Sequence, residues 1–257
     1  MAMRNIRLVI AYDGTDFYGW QRQPHLPTIQ ETLEARIARI AGESVKLQGS
    51  GRTDAGVHAA GQVANFRTSC PIPCESLAVA LNDLLPRAVR IRKAQEVHDT
   101  FHARYDVRSK TYRYRILQAP ICPPFLCRFV HHYPYSLNLR RMAKAARRFE
   151  GEHDFTSFAG ADHAATGSHN ADQEASNIRR IFTSRVVQRK ELSLLVYEVC
   201  GSGFLHHMVR NMVGTLIEVG NGKLSPDDIV PILAARDRGK AGPTAPAGGL
   251  CLVKVEY

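Results

Sequence analysis

The chain opens on an alternation. Ile6, Leu8, Ile10 and Tyr12 fall on one side of an extended segment and Arg7, Val9 and Ala11 on the other, which predicts a strand ending at the turn signal Asp13-Gly14. The period then lengthens: Ile29, Leu33, Ile37 and Ile40 form a helical stripe, Thr28 and Glu31 have capping-box spacing, and Gly42 stands where a C-terminal cap belongs. Strand-like runs follow at 45–48, 62–67 and 89–94, with a helix-like segment at 75–85 before the last. A second passage repeats the scheme, with a strand at 110–117, a helix at 139–149, a hairpin at 178–199, two helices and a final strand within 249–257. The first of those two helices, 204–219, sets Phe204, Met208, Met212 and Leu216 at helical spacing and stops at Asn221-Gly222. The second is announced by Ser225 as cap, Pro226 in the first turn and Asp227 and Asp228 on the positive end of the dipole. The pattern predicts an α+β protein of two similar halves, 1–107 and 108–257.

Composition narrows the class. The chain has 257 residues, enough for a substantial core, and 44% hydrophobic and 23% charged residues place it among ordinary globular proteins. No 18-residue apolar run is present, and Met-Ala-Met-Arg-Asn-Ile-Arg lacks the apolar stretch of a secretion signal, so the expected location is the cytoplasm, with no membrane involvement. A net charge of +10 suits a polyanionic partner, because lysines and arginines near phosphates release counterions. Cys70, Cys74, Cys122, Cys127, Cys200 and Cys251 form no repeated CxxC pair and read as reduced structural thiols. A metal site at Cys200, His206 and His207 is set aside, since adjacent histidines on a helix diverge.

Chemistry concentrates in Gly49-Ser50-Gly51-Arg52-Thr53-Asp54-Ala55-Gly56-Val57-His58, which gathers three glycines, an arginine, a carboxylate and an imidazole into one loop between strands. Two readings are open: a site, or a tight turn in which Asp54 bonds its own backbone while Arg52 is solvated. Tyr112 and Tyr114 share one face of their strand and Arg113 and Arg115 the other, an arrangement equally suited to core packing. Arg210 lies in the apolar stretch Met208-Val209-Arg210-Asn211-Met212-Val213 and needs a partner if buried. The helix at 139–149 carries Arg140, Arg141, Lys144, Arg147 and Arg148 around an apolar side, either as a solvated face or as a phosphate-binding surface. Residues 159–176 are small, polar and aperiodic, and read as a mobile loop.

The run Gly51-Arg52-Thr53-Asp54-Ala55-Gly56-Val57-His58-Ala59 resembles the signature of TruA-type tRNA pseudouridine synthases. The resemblance extends in order through Tyr12-Asp13-Gly14, Tyr18-Gly19-Trp20-Gln21-Arg22-Gln23, Phe101-His102-Ala103-Arg104, Lys110-Thr111-Tyr112-Arg113-Tyr114, His207-Met208-Val209-Arg210-Asn211-Met212-Val213-Gly214 and Ala245-Pro246-Ala247-Gly248-Gly249-Leu250, nearly the whole chain. The loop at 159–176 is longer than the family's. The resemblance implies two α+β halves whose sheets join into one mixed sheet with the active-site cleft between them, and a homodimer. The implied substrate is the anticodon arm of tRNA, at uridines thirty-eight to forty. It also implies that Asp54 is the nucleophile, Arg210 its partner and Tyr112 the ring against the target base, with Arg52, His58 and Arg104 on the substrate side. Attack at uracil C6, attack at the sugar C1′ and abstraction of a sugar proton are all open to Asp54. The isomerisation calls for no cofactor and no metal. Two other functions stay open on the residues: a tRNA-binding protein without catalysis, and a metal-dependent phosphoesterase using Asp54 and His58.

Overall fold

Strand β1 (Arg4–Tyr12) buries Ile6, Leu8, Ile10 and Tyr12 on one face, as its alternation predicts. It pairs antiparallel on one side with β3 (His58–Thr68) and on the other with β4 (Val89–Val97). The short β2 (Gln48–Gly49) lies on β3, and so does β10 (Leu250–Glu256), parallel, with Cys251 opposite His58. Helices α1 (Ile29–Ala41) and α2 (Cys74–Leu84) bury Ile29, Leu33 and Ile37, and Leu77 and Leu81. Each such side chain withdrawn from water contributes on the order of 1.5–3 kcal/mol. The ends of α1 follow the expected chemistry: Thr28 accepts from the Glu31 backbone N–H, and Gly42 takes the left-handed conformation at φ 71°.

This computed structural model describes residues 3–160, 176–189 and 192–257. They divide into two compact units, one of Met1–Arg108 with Cys251–Tyr257 and the other of Ser109–Leu250. In the second, β5 (Ser109–Leu117) pairs antiparallel with β9 (Leu194–Gly201), β9 with β8 (Ile178–Arg189), and β8 with β7 (Gly151–Asp154). A two-residue β6 (His131–His132) runs parallel to the end of β5. Helices α3 (Leu139–Arg147), α4 (Met208–Gly220) and α5 (Ile229–Ala235) complete the unit, and Phe149, Phe155 and Phe158 pack ring to ring in its core. Parallel and antiparallel pairing both occur, and the class is α+β.

Several expectations change. The last strand belongs with the first unit rather than the second half, because its partner there is β3. The strand expected at 45–48 shrinks to β2: the backbone of Leu47 is satisfied by side chains of α1, its N–H by Glu34 Oε1 at 2.9 Å and its C=O by Gln30 Nε2 at 3.2 Å. Helix 204–219 starts only at Met208, since His207 takes a left-handed φ of 58°. The helix capped by Ser225 opens as a 3-10 turn, Pro226–Asp228, before α5. Most of the segment read as a mobile loop, residues 161–175, lies outside the described residues. No described helix is long and apolar enough to cross a membrane.

Candidate active site

The Asp54 loop joins β2 to β3 and is braced from behind by the two motifs that precede it. Gly19, at φ 86°, approaches so closely that a Cβ there would lie 2.5 Å from the Thr53 carbonyl oxygen, and one on Gly14 would lie 2.0 Å from the Val57 oxygen. Trp20 N–H donates to Thr53 O at 3.0 Å, Gly56 N–H to Phe17 O at 3.2 Å and Val57 N–H to Asp54 O at 3.1 Å. On the strand side, Gln62 receives Ser50 Oγ at 2.6 Å and donates to Gly51 O at 3.0 Å. Tyr12 and Thr53 share a hydroxyl hydrogen bond of 2.8 Å. Burial pushes the Tyr12 phenol up, so the bond to Thr53 is made by a protonated ring. Arg52 is exposed and Asp54 half-buried at the head of this frame.

His58 is the first residue of β3 and is buried. Its Nδ1 accepts the Gly14 N–H at 3.1 Å, which puts the ring proton on Nε2. The 3.2 Å approach of Asp13 Oδ1 to the same nitrogen is therefore a contact rather than an ion pair, and that oxygen accepts from the Thr15 N–H and hydroxyl. His58 thus ties the Asp13-Gly14 turn to the root of the Asp54 loop. The Phe101-His102-Ala103-Arg104 motif is set by buried amides: Asn5 Nδ2 donates to His98 O and Phe101 O, while Asn65 Oδ1 accepts the Ala103 N–H at 2.9 Å. Ala103 is buried and Arg104 exposed.

Tyr112 and Arg210 lie in the second unit. Tyr112 is buried on β5, with the Phe204 ring edge-on at 5.0 Å, so its strand face does pack into the interior. Tyr114, two residues on, donates to Pro246 O at 2.8 Å. Burial pushes its phenol up, against the pull of the Arg210 charge, and it remains a donor at neutral pH. Arg210 is half-buried in the first turn of α4; its Nε donates to Ala245 O at 2.8 Å, and the Ala245 N–H returns a bond to Arg210 O at 3.1 Å. His206 and His207 precede α4 and stack at 3.8 Å, so the expectation that they diverge is wrong: neither is in a helix. Asn211, Thr244 and Arg238, which the sequence analysis does not single out, hold the segment facing Arg210. A polar residue within an apolar helical stretch is a signal that Asn211 carries as plainly as Arg210.

The family model described as tRNA pseudouridine synthase matches residues 8–106 and 145–257. The tRNA pseudouridine synthase A of Solibacter usitatus is 49% identical over 255 residues, 99% of this chain and 100% of that protein. Those of Caldicellulosiruptor saccharolyticus and Thermoanaerobacter pseudethanolicus are 45% and 42% identical, each with the same coverage.

Proposed function

Because the chain belongs to the tRNA pseudouridine synthase family, an isomerase converting uridine to pseudouridine in tRNA, we propose that Asp54 is its catalytic carboxylate. The reaction breaks the C1′–N1 bond, joins C1′ to C5 and moves the C5 proton to N1, without change of oxidation state. A carboxylate that engages the base or sugar during this exchange must be ionised, aimed and held still. The observation that carries the assignment is the bracing of the Asp54 loop: glycine-only approaches at Gly14 and Gly19, and hydrogen bonds from Trp20 and Gln62, hold the loop's backbone from both sides. A merely connecting turn has no need of them.

The resemblance supplies the remaining roles. Arg210 is the guanidinium that orients the carboxylate, Tyr112 packs on the target base, and exposed Arg52 and Arg104 hold the nucleotide and its phosphates. Buried His58 serves from behind the loop by fixing the Asp13-Gly14 turn. The substrate proposed is the anticodon arm, with uridines thirty-eight to forty as targets, modified in the cytoplasm by a homodimer; light scattering on the purified protein tests the dimer.

The deciding experiment is single-turnover pseudouridine formation on an anticodon-arm RNA, measured beside equilibrium tRNA binding. Asp54→Asn changes charge with almost no change of volume, so binding should persist while product falls to background. Asp54→Glu shifts the carboxylate by about 1 Å and should cost on the order of a hundredfold. Turnover by Asp54→Asn near the native rate would remove Asp54 from the chemistry, and full activity in a chelator disposes of the metal-dependent phosphoesterase reading.

A further inference from the structure

Asn211 follows Arg210 on α4 and is fully buried. A buried amide has to be matched on both sides. Its Nδ2 donates to Phe158 O at 2.7 Å, and its Oδ1 accepts from Thr244 Oγ1 at 2.6 Å and from Arg238 Nη2 at 3.0 Å. Arg238 closes the ring, donating to Thr244 Oγ1 at 3.1 Å and to Ala241 O at 3.3 Å. One turn along the helix, Thr215 Oγ1 donates to Asn211 O at 2.8 Å and accepts the Gly242 N–H at 2.9 Å. Gly214 leaves room for the Pro243 carbonyl, whose oxygen would lie 1.6 Å from any Cβ placed there.

The chain at 241–246 is thereby fixed almost residue by residue against α4, and it ends in two carbonyls with specific duties. Ala245 O accepts from Arg210 Nε, and Pro246 O accepts from the Tyr114 hydroxyl. An arginine side chain has several rotatable bonds, and a hydrogen bond through Nε determines the plane in which its fork lies. The direction of the Arg210 fork is thus set by the position of Ala245 O, and that position by the Asn211 network. Asn211 and Thr215 are fully buried, and burying two polar side chains costs desolvation unless each is matched, whereas a plain packing contact between a loop and a helix could be made by apolar side chains; Thr244 and Arg238 meet Asn211 from the surface side.

We propose that Asn211, Thr244 and Arg238 are positioning residues for the isomerisation: they hold the Ala245 carbonyl that sets the plane of the Arg210 guanidinium. The proposal rests on Arg210 being the partner of the catalytic carboxylate. It separates from an ordinary stabilising role because its effect must pass through Arg210 and appear in the chemical step.

The test is a double-mutant cycle between Thr244→Val and Arg210→Lys, read as kcat and KM for tRNA in the full-length protein, with a melting curve for each variant. Thr244→Val keeps the shape and removes the hydroxyl that bridges Asn211 and Arg238. Expected are a fall in kcat of about tenfold at unchanged KM, recovery to within about twofold in Thr244→Ser, and a loss below about twofold when Arg210 is already lysine. The same tenfold loss in the Arg210→Lys background would overturn the proposal, since the hydroxyl would then act independently of the guanidinium. So would an unchanged kcat in Thr244→Val while Arg210→Lys is slow, which leaves the role of Arg210 standing. Arg210→Lys turning over at the native rate overturns the assignment of Arg210 itself and the proposal with it. Should Thr244→Val fail to fold, Arg238→Lys, which keeps the charge but loses the two-handed bond, enters the same cycle with the same expected and overturning outcomes.

Discussion

Gly49 lies against the buried indole of Trp20, and a Cβ at position 49 would come within 2.6 Å of the Trp20 ring atoms Cε2 and Nε1. The ring cannot yield easily, because it is enclosed beside Tyr12 at the back of the Asp54 loop. Gly49→Ala is therefore expected to destabilise the protein by about 1–3 kcal/mol through overpacking, measured as a lowered urea midpoint at unchanged slope. Native stability in that variant would show that Trp20 is free to move and does not brace the loop. The same loop illustrates how a residue's type and its placement are separate facts. His58 belongs to the motif as firmly as Asp54, yet it is buried and occupied with Gly14, while Arg52 is exposed.

At the level of elements, only part of the basic face of α3 is taken up in packing. Arg141 donates to Leu224 O at 2.8 Å, and Lys144 and Arg148 each lie 2.7 Å from Asp227, so these three fasten the helix to the turn ahead of α5. Arg140 and Arg147 remain exposed. Charge reversal at Arg140 and Arg147 should weaken tRNA binding with little change in melting temperature, whereas Arg148→Glu should lower the melting temperature by setting two carboxylates together. Equal binding by the Arg140/Arg147 variant would make the face a solvated one. In the sheet, Glu198 on β9 sits between Arg113 of β5 and Arg185 of β8, at 2.7 and 2.5 Å. Burial pushes its carboxyl up, but the hydrogen bonds from Arg113 and Arg185 prevail and hold it below the ordinary range. A depressed folded value means that the unfolded chain binds the proton first. The stabilisation is complete above the ordinary glutamate value of about 4.3 and is lost as pH falls through the folded value. The urea midpoint should thus decline below about pH 4.3, and less steeply in Glu198→Gln; parallel curves for the two proteins would assign the decline to other carboxylates such as Asp154.

For the molecule as a whole, a charge of +10 and a tRNA substrate make a salt-dependent affinity the expected behaviour. If several phosphates are neutralised on binding, affinity should fall about a hundredfold between roughly 50 and 200 mM monovalent salt. A change below about threefold over that range would mean that shape and base contacts, rather than the basic surface, supply the binding.

The chain alone determined those features that depend on neighbours a few residues away. The burial of Ile6, Leu8 and Ile10, the Thr28 and Gly42 ends of α1 and the Ser225 cap all follow from short-range periodicity and hydrogen bonding. The run from Gly51 to Ala59 likewise carries its family in its residues. What only the tertiary structure decided are matters of which distant group arrives. Nothing local to Leu250–Glu256 says that it will lie beside His58 and Ala59. The strands β6 and β7 are too short to show a period and exist because β5 and β8 offer them unpaired backbone. Asn211 could be recognised as needing partners, but they come from two distant stretches of chain, Phe158 from one and Arg238 and Thr244 from the other. A buried polar group must be satisfied, and its residue type states that demand; which residues meet it is set when the chain closes on itself.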